Sequence, residues 1–190
     1  MEKTTKKAMS TKDLVMYAVL AAITFVLQYV SIFIRTGTFS ITLSLVPIVI
    51  GAALLGWKGG AFLGFVFGLA VLASGDAGPF LALSVPGTII TVLVKGTLSG
   101  LVAGMIFKVL KSKNNTLAVA LSAVSCPIVN TGVFIIGVFV FFLKHFMTDG
   151  TTVSALIFSF IGVNFFIELA VNIILCPAIV RILKFGKSNK

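Results

Sequence analysis

Apolar residues run through this chain in long blocks, and most polar residues fall in the short gaps between them. Blocks approaching 20 residues with few charges predict helices that cross a lipid bilayer. Six are predicted, over residues 14–34, 41–56, 61–73, 82–108, 117–143 and 154–183. The expected fold is therefore an all-α integral membrane protein, a compact bundle of six transmembrane helices forming one domain over residues 1–190. The gaps carry turn chemistry: Arg35 to Ser40, the turn Trp57-Lys58-Gly59-Gly60, and the loop Ser74 to Phe80 with Gly75, Gly78 and Pro79. Trp57 suits the membrane–water interface. The second block is short for a span and contains Pro47, and Pro127 is expected to kink the fifth or free a carbonyl within it.

Two kinds of residue interrupt the apolar blocks. The first is small. Gly60, Gly64 and Gly68 recur every fourth residue, as do Gly96, Gly100 and Gly104, and such ridges predict close helix packing, in these two segments against one another. Ala18 and Ala22 form a shorter ridge of the same kind in the first block, suited to packing within the bundle or to docking a separate membrane subunit. The second kind is polar. Lys95 lies near the centre of the fourth block, where a charge costs roughly 3 kcal/mol on insertion scales. Asn130 lies halfway along the fifth, and Asn164, Glu168 and Asn172 at i, i+4 and i+8 share one face of the sixth.

Lys95, Asn130 and Glu168 at similar depth allow two readings. In one, a Lys95–Glu168 ion pair capped by Asn130 forms a buried polar lock. In the other, the three line a pocket where Lys95 meets an anionic or carbonyl group while Glu168 and Asn164 exchange hydrogen bonds with a ligand. The aromatic second half of the fifth block, GVFIIGVFVFFL, is suited to ring-shaped ligands, to lipid or to neighbouring helices.

Composition narrows the function. Hydrophobic residues make up 58%, charged ones 11%, and the mean hydropathy is +1.17, which sets the chain among membrane proteins. The net charge of +10 would suggest nucleic acid in a soluble protein; here it sits at the ends of the apolar blocks and reads as a topology signal, with no nucleic-acid partner. Lys3, Lys6, Lys7, Lys12, Lys58, Lys108, Lys111, Lys113, Arg181, Lys184, Lys187 and Lys190 fall on the side shared by the termini, which is twelve of the 15 basic residues. Arg35 and Lys144 fall on the other, so both termini are expected in the cytoplasm of a multi-pass plasma-membrane protein. The basic N-terminus lacks a small-residue cleavage site after the first block, which reads as a retained span and not a signal peptide.

Cys126 and Cys176 stand alone as buried thiols, and His145 is a lone loop histidine, so no metal site or cofactor is expected. The chain lacks a GxxxxGK[ST] phosphate loop, HExxH, GxSxG or an acidic metal pair, so it is read as a transporter subunit and not an enzyme. The halves show no inverted repeat of interrupted helices. A solute site without its own energy source points to a binding subunit powered by partners. The alternatives are a stand-alone channel or secondary transporter, in which Lys95 and Glu168 serve ion coupling, and a membrane enzyme or assembly factor.

Over nearly its whole length the chain resembles the substrate-binding S components of energy-coupling factor (ECF) vitamin transporters. The Ala18-xxx-Ala22 pair is similar to the alanine motif by which that family docks its membrane-embedded T component. The loop Gly75 to Phe80 and Asn164 resemble elements of the riboflavin-type branch. Members that bind riboflavin tend to carry a lysine shortly after that asparagine, where this chain has Ile167 and Glu168. The resemblance implies a high-affinity substrate-binding subunit of an ABC-type importer for a B-vitamin or related small molecule, energised by two cytoplasmic ATPases through the T component. It implies Arg35, Asp76, Lys95, Asn130, Asn164 and Glu168 as substrate-binding residues, and Ala18 and Ala22 as partner-docking residues. Lys95 and Arg35 suit a carboxylate such as pantothenate; riboflavin or another vitamin precursor is the alternative.

Overall fold

The structure is a computed structural model, in which residues 10–36, 39–40, 42–148 and 163–188 are described. Helix α1 (Thr11–Phe33) starts at Ser10, whose hydroxyl accepts the Lys12 N–H, with Asp13 in the first turn facing the positive end of the helix dipole. It buries Leu20, Thr24, Gln28 and Ser31 on one face and exposes Leu14, Val15, Val19 and Val26 on the other. The predicted loop after it holds a minimal antiparallel hairpin, β1 (Arg35–Thr36) with β2 (Phe39–Ser40), Arg35 opposite Ser40.

Helix α2 (Leu45–Ala73) covers both the second and third predicted spans, and it is broken at Gly56 (φ 79°, ψ −172°). That conformation is open to glycine and to little else. The two arms, 45–55 and 57–73, fold back on each other: a Cβ built on Gly60 would lie 2.9 Å from the Cβ of Ala52, whereas eight residues of continuous helix would separate them by about 12 Å. The turn expected at Trp57 to Gly60 is therefore made one residue earlier, by a single glycine.

Ser74 to Phe80, expected as a loop, is a loop only in its first half. Helix α3 (Gly78–Leu83) begins there because Pro79 occupies a first-turn position where its missing N–H costs nothing. Helix α4 (Val85–Leu110) is capped by Ser84, whose hydroxyl accepts the Gly87 N–H, and α5 (Asn115–Phe141) by Asn114, whose side-chain oxygen accepts from Thr116 and Leu117. α5 continues as helix through Pro127. The predicted loop at 144–153 begins as helix α6 (Leu143–Thr148) and then leaves the described residues. The first residues of the sixth predicted span also lie outside them, and helix α7 (Val163–Ser188) carries the remainder. Among the described residues, α1, α2, α4 and α5 are long and apolar enough to cross a membrane.

The two glycine ridges meet. Gly60 faces the Gly100 backbone, Gly64 faces Gly96, Gly68 lies over Leu93, and Gly104 lies against Trp57, so α4 runs antiparallel to the second arm of α2 with backbone on backbone. A methyl group on Gly64 would strike the Gly96 carbonyl. Next to this seam, Ser122 donates to the Ala103 carbonyl at 2.9 Å and ties α5 to α4. Ile48, Leu63, Phe67, Ala103, Val119 and Ile179 fill the core where α2, α4, α5 and α7 converge.

Candidate functional site

Above that core a pocket of about 70 Å³ opens between the N-terminal halves of α4 and α7, the C-terminal half of α5, and the segment after α2. Helix α4 contributes Thr88, Thr91 and Lys95, at i, i+3 and i+7 on one face. Lys95 is half-buried there, its Nζ 4.9 Å from the centre of the Phe134 ring and 5.8 Å from that of Phe67. Among the described residues it forms no ion pair with Glu168; aromatic faces hold the ammonium instead.

Helix α5 brings Asn130, Thr131 and Phe134 to the pocket. Asn130 and Thr91 are each 4% exposed, and the Asn130 Oδ1 and Thr91 Oγ1 atoms have no hydrogen-bond partner among the described residues. Buried polar atoms are rarely left so, at a cost of about 1–3 kcal/mol each, which marks these two as positions for a ligand or water to complete.

The acidic residues are better held. Glu168 is buried on α7, and its Oε1 accepts the Thr42 backbone N–H at 3.0 Å. Asn172, one turn further along, donates to the Glu168 carbonyl at 2.9 Å; it does not line the pocket and instead secures the helix under the carboxylate. Asp76 faces the pocket from the turn after α2, and its Oδ2 accepts from Gln28 Nε2 of α1 at 3.3 Å. Phe80 of α3 packs edge-on against Phe134 and Phe142, with centroids 5.2 and 5.3 Å apart. The aromatic half of α5 thus meets a neighbouring short helix, and Phe80, Phe134 and Phe142 all line the pocket.

Four of the six residues expected to bind substrate, Asp76, Lys95, Asn130 and Glu168, line this one pocket. Arg35 lies in β1 and Asn164 in the first turn of α7, but their side chains fall outside the described residues. Ala18 and Ala22 are exposed on α1, away from the face carrying Thr24 and Gln28. Sequence reasoning alone misses Thr42, Thr88 and Thr91, and also Gln28. A signal exists: Thr88 and Thr91 share a helical stripe with Lys95, and Thr24, Gln28 and Ser31 fall at i, i+4 and i+7 on α1.

Chemically the pocket offers one ammonium group, two carboxylates, two uncommitted polar oxygens and aromatic walls. That set is chemically suited to a small polar molecule, and no metal cluster is found among the described residues. The family described as "ECF transporter, substrate-specific component" matches the chain over residues 12–180. The chain is 30% identical, over 96% of its length and 99% of the relative's, to the pantothenic acid transporter PanT of Lactococcus lactis subsp. cremoris (strain MG1363). No solved structure matches it. With a family match over most of the chain and a full-length relative, this protein belongs to the substrate-specific components of ECF transporters.

Proposed function

We propose that the protein binds pantothenate in the pocket around Lys95 and delivers it as the S component of an ECF importer. The observation that carries this reading is Lys95 beside two unsatisfied buried oxygens, in a chain whose full-length relative is named for pantothenic acid. Pantothenate has one carboxylate, one amide, two hydroxyls and a gem-dimethyl group. Lys95, with Arg35 as its second cationic partner, takes the carboxylate. Asn130 and Thr91 accept from hydroxyl or amide donors. Glu168, Asp76 and Asn164 complete the polar contacts, and the dimethyl group meets the Phe134 side. Asp76 and Glu168 act as acceptors for ligand hydroxyls.

The rest of the mechanism follows from having no energy source in the chain. Two cytoplasmic ATPases act through a T component that grips the exposed Ala18/Ala22 face of α1. In this reading the two arms of α2 count as separate spans, giving six in all, with both termini cytoplasmic. The glycine seam keeps α2 and α4 one rigid body as the ligand is carried.

Purification in mild detergent followed by mass spectrometry and calorimetry tests the ligand. Pantothenate should co-purify or bind in a 1:1 ratio, and riboflavin should not. Riboflavin binding with no response to pantothenate overturns the assignment.

A further inference from the structure

Gln28 lies outside the pocket, 1% exposed on the inner face of α1, yet its side chain reaches two of the elements that shape the pocket. Its Nε2 donates to Asp76 Oδ2 at 3.3 Å, and its Oε1 accepts from Ser44 Oγ at 3.4 Å. A neutral amide meets both demands at once, donor toward a carboxylate and acceptor toward a hydroxyl. A glutamate would set a second carboxylate against Asp76, and an apolar side chain would remove the link between Asp76 and Ser44.

Ser44 belongs to a short strap before α2. Within it the Thr42 N–H is given to Glu168 at 3.0 Å and the Leu43 N–H to Ser31 Oγ at 3.2 Å, while Ser44 Oγ also reaches the Thr24 carbonyl at 3.1 Å. Gln28 therefore touches Asp76 directly and reaches Glu168 through the strap. These two carboxylates are the acidic groups of the pocket.

We infer that Gln28 is a positioning residue for substrate binding: from outside the pocket it fixes the two carboxylates relative to each other and to Lys95. The inference rests on the proposal that this pocket is the ligand site, but its first test does not depend on the ligand. Gln28→Met keeps the length and the packing and removes both hydrogen bonds. In the purified full-length protein, hydrogen–deuterium exchange over residues 75–80 and 42–44 should be at least about fivefold faster in Gln28→Met than in the wild type, since those backbones lose a buried anchor. Unchanged exchange in both segments overturns the inference.

The second test separates positioning from packing. Losing a hydrogen bond to a charged group should weaken pantothenate binding by about tenfold in Gln28→Met. Asp76→Asn should weaken it at least as much. If Gln28 acts through Asp76, the double variant should bind within about twofold of Asp76→Asn alone. Fully additive losses overturn the inference, because a packing defect would add. If Gln28→Met cannot be purified folded, Ser44→Ala unhooks the amide from its other side. Because that variant also loses the Ser44–Thr24 bond, the readout is residues 75–80: faster exchange there supports the inference, and unchanged exchange overturns it. A wild type that ignores pantothenate, with exchange that still responds to Gln28→Met, overturns the ligand assignment and leaves the anchoring role standing.

Discussion

A lysine half-way along a membrane helix has to be reconciled with its surroundings, and Lys95 is reconciled with aromatic rings. A cation over a ring is worth about 0.5–2 kcal/mol, so the two rings together roughly balance the ~3 kcal/mol that a central charge costs on insertion scales. Replacing Lys95 with Met should therefore leave the protein at least as resistant to heat in detergent as the wild type. Its pantothenate affinity should fall by about 10- to 100-fold, the range for losing a charge-assisted hydrogen bond. Paired thermal-shift and calorimetry measurements read both effects, and a variant that loses stability without losing affinity would assign Lys95 a structural role. Lys95, Asn130 and Glu168 are legible in the sequence because each is an isolated polar residue in an apolar block. Thr88, Thr91 and Thr42 are not, since a threonine in a membrane helix ordinarily satisfies its own hydroxyl on the preceding turn, as Thr88 does with the Ser84 carbonyl at 2.7 Å. Whether a threonine faces a pocket is decided by its neighbours, which a single stripe does not reveal.

Two glycines in α2 show how differently one residue type is used in one element. Gly56 has open space around its Cα, and its backbone alone requires glycine. Gly64 is ordinary helix, and the neighbouring Gly96 backbone alone requires it. Gly56→Ala should cost about 1–3 kcal/mol through backbone strain, and Gly56→Asn should do no better, because ψ −172° lies outside the left-handed helical region that asparagine tolerates. Gly64→Ala should cost a similar 1–3 kcal/mol through overpacking, and a larger side chain there should cost more, whereas at Gly56 side-chain size should matter little. Unfolding midpoints of the Ala, Val and Leu series at each position distinguish the two. The ridges and their mutual packing are readable from the four-residue spacing. The turn at Gly56 is displaced in that reading to Trp57-Lys58-Gly59-Gly60, where paired glycines are more obvious, because sequence does not separate a glycine used for its backbone freedom from one used for its small size. Helix α3 is hidden by the same loop composition that makes Pro79 a good helix start.

For the molecule as a whole, α1 is two-faced. One face carries Thr24, Gln28 and Ser31 into the bundle, and the other leaves Ala18 and Ala22 exposed. If the exposed face docks a T component, then Ala18→Leu with Ala22→Leu should abolish uptake in cells while the purified variant binds pantothenate like the wild type. Loss of binding in that variant would count against docking as the role of this face. Proteoliposomes holding the chain alone should not accumulate pantothenate, and adding an ECF module with ATP should start uptake. Accumulation by the isolated chain would favour the alternative of a stand-alone transporter.

The break at Gly56 has one more consequence, for solvation. At 1.5 Å per residue the arm 45–55 is about 16 Å long, roughly half the 30 Å of hydrocarbon it would need to cross. If this arm is a span that starts at the turn beside Trp57, it ends short of the far side, and the chain must cover the remaining thickness without the hydrogen bonds of α2. Irregular backbone at that depth persists only inside protein or along a cavity. The N–H groups of Thr42 and Leu43 meet the requirement by bonding to Glu168 and Ser31. In a bilayer, a half-length helix thus calls for polar side chains just beyond its end, to do what water would do at the surface. Glu168, which lines the pocket proposed for the ligand, is also what satisfies this stretch of backbone.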